Sequence, residues 1–165
     1  MAVRPIVMFP DPRLRTVAAQ VDVFDDALRS LAADLVDTMR AAPGIGITAP
    51  HIGVSARVVV LQLPGDAAPM VYVNPAVVWS SQERVRQSEG SVSMPGISEE
   101  IARPAKVRVR YADLEGAPQE EAAEGLRAVC HQHEIDQLDG IFWLQALSRL
   151  KRDRLIKRYE KLARP

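Results

Sequence analysis

Among 165 residues there is one cysteine, Cys130, which excludes an intrachain disulfide and suits a reducing compartment. Net charge is missing too. Twenty-one basic residues balance 21 acidic ones, so no global field draws the chain to DNA or to a membrane surface. No apolar run approaches the roughly 20 residues of a membrane span. The N-terminal stretch MAVRPIVMFPDPRLR has too short an apolar run and too many prolines for a signal peptide. Repeats, low-complexity tracts and linkers are also lacking. These absences predict one cytoplasmic domain over residues 1–165, large enough to bury about two-thirds of its unfolded surface.

What is present reads as strands bracketed by helices. Leu28, Leu31, Leu35 and Met39 recur at helical spacing, predicting a helix over 25–41 with Asp25 as its cap and Pro43, Gly44 and Gly46 as its stop. ARVVVLQL (56–63) reads as a strand, and MVYVNP (70–75) as another stopped by Asn74-Pro75. AVVWSSQERVRQSEG then continues the sheet. In KVRVRYAD (106–113), Val107, Val109 and Tyr111 alternate with Arg108 and Arg110, the pattern of a strand with one wet face before a turn at 113–116. From Leu126 the period lengthens, and Leu126, Val129, Cys130, His133 and Gln137 share one helical face. Whether that helix includes EEAAEG stays open, with Gly125 a candidate strand-to-helix junction. Trp79, Phe142 and Trp143 read as core or groove lining, and Cys130 as a small buried residue. A last helix covers RLKRDRLIKRYEKLAR (149–164), whose Arg149, Lys151, Arg152, Arg154, Lys157, Arg158, Lys161 and Arg164 face only Asp153 and Glu160. Such a stripe is a solvated face or a docking surface for RNA, as on the ribosome. The pattern is α+β with a mixed or antiparallel sheet.

The chemistry centres on His133-Glu134-Ile135-Asp136-Gln137. It has the form of the metal-hydrolase signature H-E-x-x-H with glutamine in the fifth place. Positions i and i+4 are neighbours on a helix, and Glu134 is close enough to reach a group bound at His133. Taken alone, the same letters describe a half-buried histidine beside a solvated glutamate. Two further stretches, GIGITAPHIG (44–53) and EGSVSMPG (89–96), precede it in order. Together the three resemble the motifs of the peptide deformylase family, G-x-G-L-A-A-x-Q, E-G-C-L-S and H-E-x-D-H. PDPRLRTVAAQV, YVNP, RPAKVRVRYADLEG and LSRLKRDR extend the resemblance over nearly the whole chain.

The resemblance implies a deformylase-like fold, with sheets around a central H-E-x-x-Q helix and helices near both ends. It implies metal-dependent removal of the formyl group from the N-terminal methionine of nascent peptides. By resemblance, Glu134 is the general acid and base, His133 a retained metal ligand, and Gly44, Gly46, Glu89 and Gly90 the substrate groove. Yet Ser91 stands at the cysteine ligand, Gln137 at the second histidine ligand, and His51 at the glutamine that, with the amide at Val92, holds the formyl oxygen. Ser98-Glu99 occupies a stretch where many relatives carry arginine, and Gln145 a place where aspartate is common. Neutral hydroxyl and carboxamide oxygens are weak ligands for Fe, Zn or Ni, so the expected cofactor is none or a weakly held divalent ion. Three readings follow. One is an inactive or weakened relative that binds formylated or unformylated peptide N-termini, with a candidate ribosome contact through the basic helix. Another is a rebuilt metal site using His51 and His133. The third is a metal-free serine hydrolase using Ser91 and His133.

Overall fold

The computed structural model describes residues 2–164. Three helices, α1 (Asp26–Ala41), α2 (Gly125–Leu138) and α3 (Arg149–Ala163), accompany seven strands. The strands are β1 (Gly46–Thr48), β2 (Val58–Leu61), β3 (Met70–Ser80), β4 (Arg84–Glu89), β5 (Glu99–Pro104), β6 (Lys106–Ala112) and β7 (Pro118–Glu124). Short 3₁₀ turns occur at Pro12–Arg15, Ala49–Ile52 and Trp143–Ala146. Five strands pair in the order β1-β2-β3-β6-β7, and β4 pairs with β5 alone. Every described pairing is antiparallel, so of the two expected sheet types the antiparallel one is found.

The Asp25 carboxylate accepts the Leu28 N–H at 3.0 Å and fixes the start of α1. Leu28, Leu35 and Met39 then pack on Ile47 of β1 and on Val58 and Val60 of β2. Period two sends the intervening Val59 and Leu61 to the opposite face, against Tyr72, Cys130 and Leu138. The run VVVL is thus buried on both sides, each side chain contributing roughly 1.5–3 kcal/mol.

Asn74-Pro75 does not stop β3, as the sequence suggests it should. Asn74 takes a left-handed backbone, φ 52°, while its amide accepts the Val21 N–H and donates to the Val21 carbonyl, both at 2.9 Å. The register to β6 steps from Val73–Ala112 to Ala76–Arg110, and this irregularity accommodates the proline. Arg84–Glu89 leaves the large sheet altogether to pair with β5. Neither β5 (EEIARP) nor β7 (PQEEAAE) is legible as a strand, because both are charged and poor in β-branched residues. Their partners supply what propensity does not. On β7, Glu120 and Glu124 face Arg110 and Lys106 of β6 at 3.5 and 3.9 Å.

Gly125 is the strand-to-helix junction, with φ 61°. From it α2 runs between the sheets with buried residues on all sides. Two of its buried polar groups reach across to the strands. His131 meets Glu121 of β7, and Gln132 donates to the Pro104 carbonyl at 3.0 Å. His131 therefore faces away from His133, as helical spacing predicts.

Candidate functional site

Along one face of α2 lies a cavity of about 400 Å³. Gly44, Ile45 and Gly46 form one wall, Glu89, Gly90, Ser91 and Val92 another, and Leu126, Val129, Cys130, His133 and Glu134 the floor. Of the candidate catalytic, metal-ligand and groove residues, Gly44, Gly46, Glu89, Gly90, Ser91, Val92, His133 and Glu134 line it, whereas His51 and Gln137 do not. Gly46 is glycine for a steric reason. A Cβ there would stand 3.0 Å from a Leu61 methyl and 3.4 Å from the Glu134 carboxyl carbon.

His133 is held by a carboxylate. Its Nδ1–H donates to Glu89 at 2.8 Å, which turns Nε2 toward Glu134, 3.6 Å away. Glu89 in turn accepts two hydrogen bonds from Arg103, at 2.6 and 3.0 Å, and Arg103 donates a third to Asp136 at 2.9 Å. Burial works to raise the Glu89 carboxyl, but His133 and Arg103 overcome it and hold the group below the usual carboxylate range. Burial likewise pulls His133 down. The hydrogen bond to Glu89 and the nearby Glu134 charge win, and its pKa ends above the usual value. Burial raises Glu134, whose Oε2 has no hydrogen-bond partner among the described residues.

Arg103 and Asp136 were missed as site residues. Arg103 lies two positions after Ile101, on the inward face of β5, and that alternation was the available signal. Its role depends on a β4–β5 pairing that the sequence does not announce.

The three substituted positions are occupied in ways particular to this chain. Ser91 Oγ accepts the Ser93 N–H at 3.1 Å and makes no hydrogen bond to His133. The Gln137 amide donates to the Leu14 carbonyl at 2.7 Å. His51 is 1% exposed, and its Nδ1 accepts the Thr48 N–H at 2.9 Å. A backbone N–H only donates, so the His51 proton sits on Nε2, which has no partner among the described residues. Burial, and then the charge of His133, push its pKa down to about 3.

A family model described as polypeptide deformylase matches residues 3–153. The chain belongs to the polypeptide deformylase family. A protein named peptide deformylase-like from Brucella melitensis is 65% identical over 164 residues, covering 99% of this chain and all of that one. A peptide deformylase from Brucella suis is 46% identical, covering 99% of this chain and 95% of its own. The crystal structure of the Ehrlichia chaffeensis peptide deformylase in complex with actinonin superposes at a TM-score of 0.94, with 37% identity and full coverage of both chains. The deformylase fold is therefore present throughout.

The deformylase resemblance implies a divalent metal, and the residues here do not fit one. Among the described residues no three histidine, cysteine, aspartate or glutamate side chains are grouped to hold an ion. His133 offers one imidazole. Ser91 offers a neutral hydroxyl, and Gln137 a carboxamide whose nitrogen is committed to Leu14. His51 cannot supply the second imidazole as it stands, because one ring nitrogen accepts a backbone proton and the other carries a proton.

Proposed function

We propose that this chain uses the deformylase cavity to bind peptide N-termini, formylated or unformylated, with metal-dependent deformylation lost or much weakened. One observation carries the reading: an intact cavity lies beside a donor set in which only His133 remains a strong ligand. An apolar floor of Leu126, Val129 and Cys130 suits a methionine-sized side chain, and Glu134 beside it, with Oε2 unpartnered among the described residues, suits a terminal amide. The basic face of α3 is a candidate ribosome contact, and a cytoplasmic site of action fits both. The serine-hydrolase reading gains no support from a Ser91 that does not meet His133, and the rebuilt metal site gains none from the His51 tautomer.

The test pairs calorimetric binding of formyl-methionyl and methionyl peptides with turnover of the formyl peptide, with and without added Fe²⁺, Ni²⁺ or Zn²⁺. A Glu134→Ala variant serves as the control. Saturable binding without turnover above that control is expected. Metal-dependent turnover that Glu134→Ala abolishes would overturn the loss of catalysis, and absence of peptide binding would overturn the binder.

A further inference from the structure

A second cavity of about 230 Å³ lies between the Pro12–Arg15 turn, the Trp143–Ala146 turn and α3. Its walls are Phe9, Leu14, Phe142, Leu144 and Ile156, and the rings of Phe9 and Phe142 stack at 5.3 Å. None of these residues borders the deformylase cavity. Two guanidiniums stand on its rim, Arg15 exposed and Arg152 half-buried. Neither has a carboxylate partner among the described residues. The one acid on the rim, Asp11, is already engaged, accepting the Arg13 backbone N–H at 2.9 Å and guanidinium N–H groups at 3.2 and 2.9 Å.

We infer that this cavity is a binding site for a small carboxylate carrying one apolar group the size of a side chain. The size follows from the volume, equal to the liquid volume of about eight waters and too small for a long lipid tail. The sign follows from the rim, where two unpaired guanidiniums can each donate charge-assisted hydrogen bonds to a carboxylate. The first turn of α3 reinforces that sign. It carries Arg149, Lys151 and Arg152 and no acid, so only the neutral Ser148 hydroxyl, which accepts the Lys151 N–H at 3.3 Å, offsets the partial positive charge of the helix start. The apolar group would rest on the stacked phenylalanines while the carboxylate stayed at the rim. Such a ligand has two natural sources, the C-terminal residue of a peptide or a free short-chain acid.

N-acetyl-phenylalanine represents the first source and hexanoate the second. Their neutral counterparts, N-acetyl-phenylalanine amide and hexanol, serve as controls. Each is titrated into the full chain while two-dimensional NMR follows the ring resonances of Phe9 and Phe142. Saturable shifts are expected with at least one carboxylate, about tenfold or more weaker with its neutral counterpart. The tighter of the two carboxylates names the source. An Arg15→Gln/Arg152→Gln double variant should lose the same factor while keeping its thermal unfolding midpoint, since neither side chain is paired. Equal binding of the neutral analogues, undiminished binding by the double variant, or no saturation by either carboxylate would overturn the site.

Discussion

A histidine that accepts a backbone N–H at Nδ1 and meets nothing at Nε2 is an unusual buried group, and His51 shows what that costs. The unfolded chain takes up its proton near the ordinary 6.5, whereas the folded chain does so near 3. Protons therefore bind the unfolded state first as the pH falls. The His51 contribution is intact above about 6.5 and is lost progressively from there toward 3. We expect ¹⁵N NMR to show the His51 ring neutral and protonated at Nε2 at pH 5, and His51→Gln to move the acid-unfolding midpoint downward. A His51 titration midpoint near the ordinary value would contradict the assignment. Family resemblance located His51 in the sequence, but its tautomer was not legible. It depends on the tight turn Ala49–Ile52, which brings residue 51 back over Thr48.

At the scale of elements, Arg103 joins β4 to α2 through Glu89 and Asp136, with Glu89 passing the constraint on to His133. Its side chain is 9% exposed, so the pairing is little screened by solvent. Arg103→Leu leaves Glu89 buried with one partner fewer and is expected to lower stability by about 3–5 kcal/mol. Urea unfolding checks the value, and a loss under about 1 kcal/mol would mean that water replaces the guanidinium. α1 and β2 were readable because their apolar patterns, and for α1 the Asp25 cap, agree with their packing. The β4–β5 hairpin and β7 were not, since they are built from charged residues that become strands only beside their partners. That failure hid Arg103, and with it half of the network that orients the site.

Taken whole, the molecule keeps the deformylase scaffold at a TM-score of 0.94, while three departures from the motifs it resembles stand at His51, Ser91 and Gln137. Such locality makes the change reversible in principle. A Ser91→Cys/Gln137→His/His51→Gln variant is expected to retain about one equivalent of divalent metal after dialysis and to unfold at a higher temperature with metal than without. The native chain should show neither effect. Stoichiometric metal in the native chain, measured by elemental analysis, would overturn the account of its ligands.

Cys130 belongs to the floor of the deformylase cavity, where burial and the neighbouring Glu134 and Glu89 charges push its thiol up to about 12. It is the thiolate that attacks peroxides and disulfides, and at neutral pH this sulfur is almost entirely S–H. With serine at position 91, no other cysteine stands in the chain to be oxidised. The cavity therefore presents no thiolate at neutral pH, and its single thiol is expected to resist oxidation and alkylation in the folded chain.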